Sequence, residues 1–235
     1  KFFASRGNGL CTMTKNNLKQ AEIPDGAVAL ANPNAPSGKA LTLEQIETVL
    51  KGNIDSGVLV DEAYVDFGGE SAMPLVKKYD NLLVVRTFSK SGSLAGGRLG
   101  FAVGSEGLIA DLETIKYSTN PYSINRLTLL AGEKTVDDRD YYRDNCKTIA
   151  ETRDYTRDAL RALGFYVTDS KANFLFAKSD KIGGDELYKK LRENGILVRH
   201  FTSERICEYN RITIGTKEQM DCFLTAVKEI LEANK

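Results

Sequence analysis

Lys90 stands in Ser-Lys-Ser-Gly directly after an apolar run. A lysine amine attacks a carbonyl and forms a Schiff base only when it is partly neutral, a state that a neighbouring cation favours. Arg98 follows eight residues on. Asp61 closes a second apolar run after Val60, where a carboxylate is costly to bury unless it is paired. Facing a ring nitrogen, it would keep that nitrogen protonated so that the ring can absorb electrons, and Tyr64 would donate its phenol to the same ring. Thr87, Ser89 and Arg98 offer two hydroxyls and a guanidinium fork, a set that suits a phosphate. Lysine, acid, phenol and phosphate clamp are together the parts of a pyridoxal phosphate site. Taken singly, each has a plainer reading: a solvated loop lysine, or an aspartate that caps a helix or joins an ion pair.

These residues need elements that bring them to one place. Residues 26–31, 57–60, 81–85 and 99–103 are short apolar runs, the kind that form strands buried on both faces of a parallel sheet. Polar clusters follow three of them, at 32–38, 61–64 and 86–98. In open α/β sheets, ligands bind beyond the carboxyl ends of the strands. Thr42 with Gln45 three residues on is a capping box that starts a helix over 43–51. A further helix is expected over about 105–115, and a charged, helix-rich stretch over 123–163. Later strands fall at 165–168, 173–176, 196–198 and 211–214, with helices at 184–194 and 217–233. The expected fold is therefore α/β, a mostly parallel sheet followed by a smaller α+β C-terminal domain. The boundary is placed near residue 150, giving domains 1–150 and 151–235 with a long helix as the bridge.

Composition narrows the function classes. The chain has 235 residues, with Lys+Arg and Asp+Glu at 32 each for a formal net charge of zero, so no whole-chain basic footprint for nucleic acid exists. Its four cysteines (Cys11, Cys146, Cys207, Cys222) show no CxxC spacing, which removes zinc ribbons and thioredoxin-type motifs. With a single histidine, His200, no metal site is expected, and reduced thiols point to the cytoplasm. No apolar run reaches membrane-spanning length. Nucleotide binding fares badly: Gly-Asn-Gly at 7–9 lacks the third glycine of GxGxxG, and no Ser or Thr follows Gly38-Lys39.

Taken together, three ordered motifs resemble a known family: Asn-Pro-Asn-Ala-Pro-Ser-Gly at 32–38, Asp-Glu-Ala-Tyr at 61–64, and Arg-Thr-Phe-Ser-Lys-Ser-Gly-Ser-Leu-Ala-Gly-Gly-Arg at 86–98. They are similar to those of the fold-type I, aspartate-aminotransferase-like enzymes, and most to the branch acting on histidinol phosphate. Tyr-Asn-Arg-Ile-Thr-Ile-Gly-Thr at 209–216 fits as well. The resemblance implies Lys90 as the Schiff-base lysine and proton carrier, Asp61 at the pyridine nitrogen and Tyr64 at the ring hydroxyl. It implies Thr87, Ser89 and Arg98 in the phosphate cup, Arg211 on the substrate carboxylate or phosphate, and Arg199 as a further phosphate ligand. Where the family has an asparagine for the ring hydroxyl this chain has Ala35, so Asn34 and Asn32 both stand as replacements.

The implied reaction is transfer of an amino group from histidinol phosphate to 2-oxoglutarate, in histidine biosynthesis, by a homodimer. A threonine-phosphate decarboxylase and an aromatic-amino-acid aminotransferase share the motifs. The resemblance begins partway through the family's large domain, so the glycine-containing phosphate loop and the N-terminal arm are expected to be missing. A folded fragment that only packs or dimerises is therefore the non-catalytic alternative, and it predicts an exposed apolar surface.

Overall fold

The computed structural model describes Ile23 and residues 25–234; Gly-Asn-Gly at 7–9 and Cys11 lie outside the described residues. Strands β1 (Val28–Ala31), β2 (Val58–Asp61) and β3 (Leu82–Thr87) run parallel as neighbours, and β4 (Gly100–Gly104) closes the order β1-β2-β3-β4 antiparallel to β3. Helix α1 (Leu43–Gly52) starts at the Thr42–Gln45 capping box expected from the sequence. Its Ile46 and Leu50 meet Val58, Val60, Leu82 and Val84 in one core, every one of these side chains fully buried. Ala31 lies opposite Asp61, and Asp61 opposite Val85. The ladder runs one step further, with the Asn32 amide donating to the Asp61 carbonyl and the Glu62 amide to the Val85 carbonyl, both at 2.8 Å. The loops after the three parallel strands thus leave the sheet side by side.

Three helices follow: α2 (Glu106–Thr119), α3 (Arg126–Asp137) and α4 (Arg139–Ala162). The stretch expected to be helix-rich over 123–163 is split at Asp138, which ends α3 and begins α4. Asp137, Asp138 and Asp140 oppose the negative end of one helix dipole and suit the positive end of the next. Residue 150 falls inside α4. None of α2's residues is buried, and Phe101, Ile115, Leu127, Leu129, Leu130 and Val136 stay exposed on β4, α2 and α3. No helix among the described residues is long and apolar enough to cross a membrane.

The second sheet is antiparallel throughout, in the order β5 (Phe165–Val167), β6 (Phe174–Ser179), β8 (Asn210–Thr213), β7 (Arg199–His200). Helices α5 (Gly184–Glu193) and α6 (Lys217–Ala233) cover it, joining Leu160, Leu175, Leu187, Ile212, Phe223 and Val227 in a second core. The strand expected at 196–198 is displaced. Ile196 and Val198 do pack on this core while Leu197 is exposed, but the ladder with β8 forms only at Arg199 and His200.

The two sheets are bolted together. Arg153 on α4 is buried, and one of its guanidinium nitrogens donates to the Phe67 carbonyl (2.6 Å) and to the Ala172 carbonyl (3.1 Å). The Thr168 hydroxyl donates to the Ser37 carbonyl (2.6 Å), and the Lys171 amide to the Gly38 carbonyl (2.8 Å). Gly38 has φ +72°, and a Cβ there would meet the Ser170 hydroxyl at 2.1 Å, so only glycine allows this approach.

Two outcomes are expected. Arg153→Met keeps the apolar stem but strands two carbonyls, and lowers unfolding free energy by about 3 kcal/mol in urea titrations. On α1, Glu47 accepts hydrogen bonds from Lys78 and from Tyr79. These bonds, that of Lys78 first, hold its carboxyl at about 2 against an ordinary 4.5. A carboxyl lowered on folding contributes stability above its unfolded pKa and loses it as pH falls through the folded value. Glu47→Gln therefore flattens the decline in urea midpoint between about pH 5 and about pH 2.

Candidate active site

Asn32, Asn34, Asp61, Tyr64, Thr87, Ser89 and Lys90 lie at or just past the ends of β1, β2 and β3, whereas Arg98 lies just before β4 and Arg199 and Arg211 lie on the second sheet. Lys90 lies in the turn between β3 and β4, its side chain exposed and its Nζ 5.3 Å from the Tyr64 ring centroid. Tyr64 follows β2 and meets Phe174 of β6 edge-on at 5.2 Å. The guanidinium carbon of Arg211, on β8, lies 5.1 Å from the same Phe174 ring. An unbroken set of contacts therefore runs from the amine on one sheet to a guanidinium on the other. Phe174 carries no sequence signal for this task, because it reads as an ordinary core residue of a strand.

Asp61 is exposed at the end of β2, and one carboxylate oxygen accepts from the Ala63 amide at 2.9 Å. This is a local turn bond and not a helix cap, since the 3-10 turn Val65–Phe67 that follows has Tyr64 at its N-cap, and it occupies one oxygen. Asn32 is fully buried at the end of β1. Its side-chain oxygen accepts from the Leu41 amide (2.7 Å), while its amide nitrogen has no partner among the described residues. Asn34 spends its oxygen on the Ser37 hydroxyl (2.7 Å). Thr87 Oγ1 accepts from the Ser89 amide (3.0 Å), and Ser89 is half-buried beside it. Arg98 is exposed with φ +55°, and its guanidinium donates to the Ala95 carbonyl at 3.2 Å. No bond joins Arg98 to Thr87 or Ser89.

Arg199 sits directly opposite Arg211 in the β7–β8 ladder, so the two cations share one face of the sheet. Like charges in that relation repel unless an anion lies between or beside them. The Arg199 guanidinium also lies 5.7 Å from the Phe201 ring, and the Arg211 Nε is buried with no partner among the described residues. This face of β7 and β8 suits a phosphate or a carboxylate.

Four residues important to this geometry were not foreseen from the sequence. Glu62, next to Asp61, has a fully buried side chain that accepts from the Ser71 hydroxyl (2.8 Å), the Ala72 amide and Arg86 Nε (3.0 Å). Arg86 also donates to Asp66 (3.2 Å), which accepts from the Ser91 hydroxyl. An acid beside an arginine-bearing strand gives no hint in sequence that the two will pair across 24 positions. Behind this network is a cavity of about 360 Å³, lined in part by Arg86, Ser91, Phe101, Tyr142 and Cys146. Burial, and then the charge of Asp66, pushes the Cys146 thiol up to about 11.

The residues present fit pyridoxal phosphate in kind. An amine stands beside a phenol, a carboxylate ends the adjacent strand, two hydroxyls lie at the end of the next, and Asn32 holds an orphaned buried amide.

Removing Arg86 would leave Glu62 as a buried, unbalanced charge. Arg86→Met is expected to cost about 3–5 kcal/mol in urea unfolding, and pairing it with Glu62→Gln restores a large share of that loss.

Residues 10–227 match the family described as aminotransferase class I and II. The chain is 52% identical over 209 residues to the histidinol-phosphate aminotransferase of Brachyspira hyodysenteriae, covering 88% of this chain and 59% of that protein. It is 48% identical over 218 residues to the enzyme of the same name from Lactococcus lactis, covering 93% of this chain and 61% of that protein. Among solved structures, the histidinol-phosphate aminotransferase of Clostridium acetobutylicum superposes with a TM-score of 0.81 at 26% identity, over 88% of this chain and 64% of that one. The chain thus spans about three fifths of the length of the curated relatives it matches. With a family match over most of its length and relatives about half identical to it, the chain belongs to the class I and II aminotransferase family.

Proposed function

We propose that the chain takes part in pyridoxal-phosphate-dependent transamination, with histidinol phosphate as amino donor and 2-oxoglutarate as acceptor. The observation that carries this reading is the Lys90 amine 5.3 Å from the Tyr64 ring, beyond the carboxyl ends of parallel strands that also present Asp61. Pyridoxal phosphate, when bound, supplies an aldehyde carbon for an amine and a ring that delocalises the electron pair left by proton removal. Lys90 holds the cofactor and then moves the proton, since its flexible stem lets one nitrogen serve both ends of the shift. Asp61 keeps a proton on the ring nitrogen. Tyr64 donates to the ring oxygen, and the buried amide nitrogen of Asn32, which has no partner among the described residues, is a donor for the same oxygen, with Asn34 as the alternative. Thr87 and Ser89 donate hydroxyls to the phosphate, with Arg98 as their cationic partner once its guanidinium leaves the Ala95 carbonyl. Arg211 and Arg199 take the anionic groups of donor and acceptor, a pairing favoured by two cations on one sheet face. The working assembly in this reading is a homodimer in the cytoplasm, and the domain boundary falls within α4.

A specific feature favours a second reading, in which the chain packs against further protein without catalysis of its own: the exposed apolar side chains of β4, α2 and α3. One experiment separates the two. The chain is incubated with pyridoxal phosphate, its visible spectrum recorded, the product reduced with borohydride and the adduct located by peptide mass. A yellow protein with a single adduct on Lys90, lost in Lys90→Arg, is the expected result. A colourless protein, or label spread over surface lysines, overturns cofactor binding by this chain. Amino transfer from histidinol phosphate, against carbon dioxide release from threonine phosphate, then identifies the branch.

A further inference from the structure

The turn that carries Lys90 is closed by backbone bonds. The Phe88 amide donates to the Leu99 carbonyl (3.0 Å), the Leu94 amide to the Phe88 carbonyl (2.9 Å), and the Ser93 amide to the Lys90 carbonyl (3.1 Å). Ser93 holds φ +52°, and a Cβ on Gly92 would meet the Phe88 carbonyl oxygen at 3.0 Å. These bonds give the turn its shape. They do not say how it is aimed at Tyr64, which belongs to another loop.

A side-chain strap joins the two loops. The Ser91 hydroxyl donates to Asp66 at 2.5 Å, and Asp66 lies in the short 3-10 turn Val65–Phe67 immediately after Tyr64. Arg86 holds Asp66 from the sheet side, and the buried Glu62 holds Arg86. The strap therefore starts in the core between Asp61 and Tyr64 and ends on the residue next to Lys90. Residues close in the chain to the three groups assigned to the cofactor ring are tied to one another, while those groups themselves take no part in the strap.

We propose that Ser91 and Asp66 are positioning residues that set the spacing of the Lys90 amine from the Tyr64 phenol, and with it the rate at which Lys90 captures an aldehyde. This rests on the reading of Lys90 given above. Because neither residue touches the reacting atoms, their effect appears in the geometry of the turn and in the capture rate together. Misplacement of a reacting group by about 1 Å can slow a reaction about a hundredfold.

The test compares the wild-type chain with Ser91→Ala, Asp66→Asn and Ser91→Thr. In capture, the lysine nitrogen bonds to the aldehyde carbon of pyridoxal phosphate, the aldehyde oxygen leaves as water, and borohydride hydride fixes the product as a secondary amine. Timed quenching and peptide mass give the rate at Lys90, with Lys217 as an internal reference. Hydrogen exchange over residues 88–94 is read on the same proteins without pyridoxal phosphate, together with the unfolding midpoint. Ser91→Ala and Asp66→Asn are expected to slow capture about 10- to 100-fold, relative to Lys217, and to speed exchange in the turn. Ser91→Thr, which keeps the hydroxyl, restores both. Wild-type rates and unchanged exchange in Ser91→Ala and Asp66→Asn overturn the positioning role while leaving Lys90 as the capturing residue. Slower capture that follows a lower unfolding midpoint and is not rescued by Ser91→Thr also overturns it, in favour of a purely structural bond. No capture at Lys90 in the wild-type chain overturns the functional reading, and the positioning role with it.

Discussion

A carboxylate without exposed surface must be satisfied where it stands, and Glu62 is such a group. It sits one residue past the end of β2 and collects a hydroxyl, a backbone amide and a guanidinium. The donors come from two pieces of chain: Ser71 and Ala72 from the segment between β2 and β3, Arg86 from β3 itself. Charge-assisted bonds of this kind are shorter and stronger than neutral ones, and leaving any of them unmade is costly in a buried setting. The loops after β2 and β3 therefore have little freedom in how they leave the sheet. Asp61 is the chain neighbour of this acid, Tyr64 lies two residues beyond it and Lys90 four residues beyond Arg86, so the need to satisfy one acid constrains how all three segments leave the sheet.

The second constraint is the joint between the two sheets. Phe174 presents its ring to Tyr64 and to Arg211 at once, joining the lysine-bearing turn to the arginine-bearing ladder. Arg153 and the close approach of Gly38 to Ser170 hold the sheets at that separation. Such bolts fix the distance between the Lys90 turn and the arginine ladder as well as adding to stability. A small tilt of the second sheet would move the Arg211 guanidinium away from Lys90 without breaking any bond inside either sheet.

The helices between the sheets behave differently. α2 buries none of its residues, and α3 buries only Thr128 and Gly132, while their exposed faces carry Ile115, Leu127 and Val136. Capping by Ser105 and Asn125 and the helical backbone itself define these elements more than packing does. They contrast with α4, whose Leu160 and Arg153 are tied into both halves of the molecule. Stability is accordingly concentrated in the two cores and in the joint between them.

Much of this could be read from the residues in order. Short runs of valine and leucine marked β1 to β3, because a strand covered on both faces needs no polar alternation. Thr42 and Gln45 marked the start of α1, because a capping box is local chemistry within four residues. The polar clusters after those strands marked segments that leave the sheet side by side, because parallel strands deliver their carboxyl ends to one edge. Other features were decided only when distant segments met. The charge that Glu62 shares with Arg86, the hub at Phe174, the pairing of Arg199 with Arg211 and the shift of β7 past residue 198 all depend on contacts between residues far apart in the chain. Local sequence sets propensity, capping and apolar pattern. Which buried charge finds which partner is set by the packing of whole elements, and that packing also turned four chemically ordinary residues into the frame around Lys90.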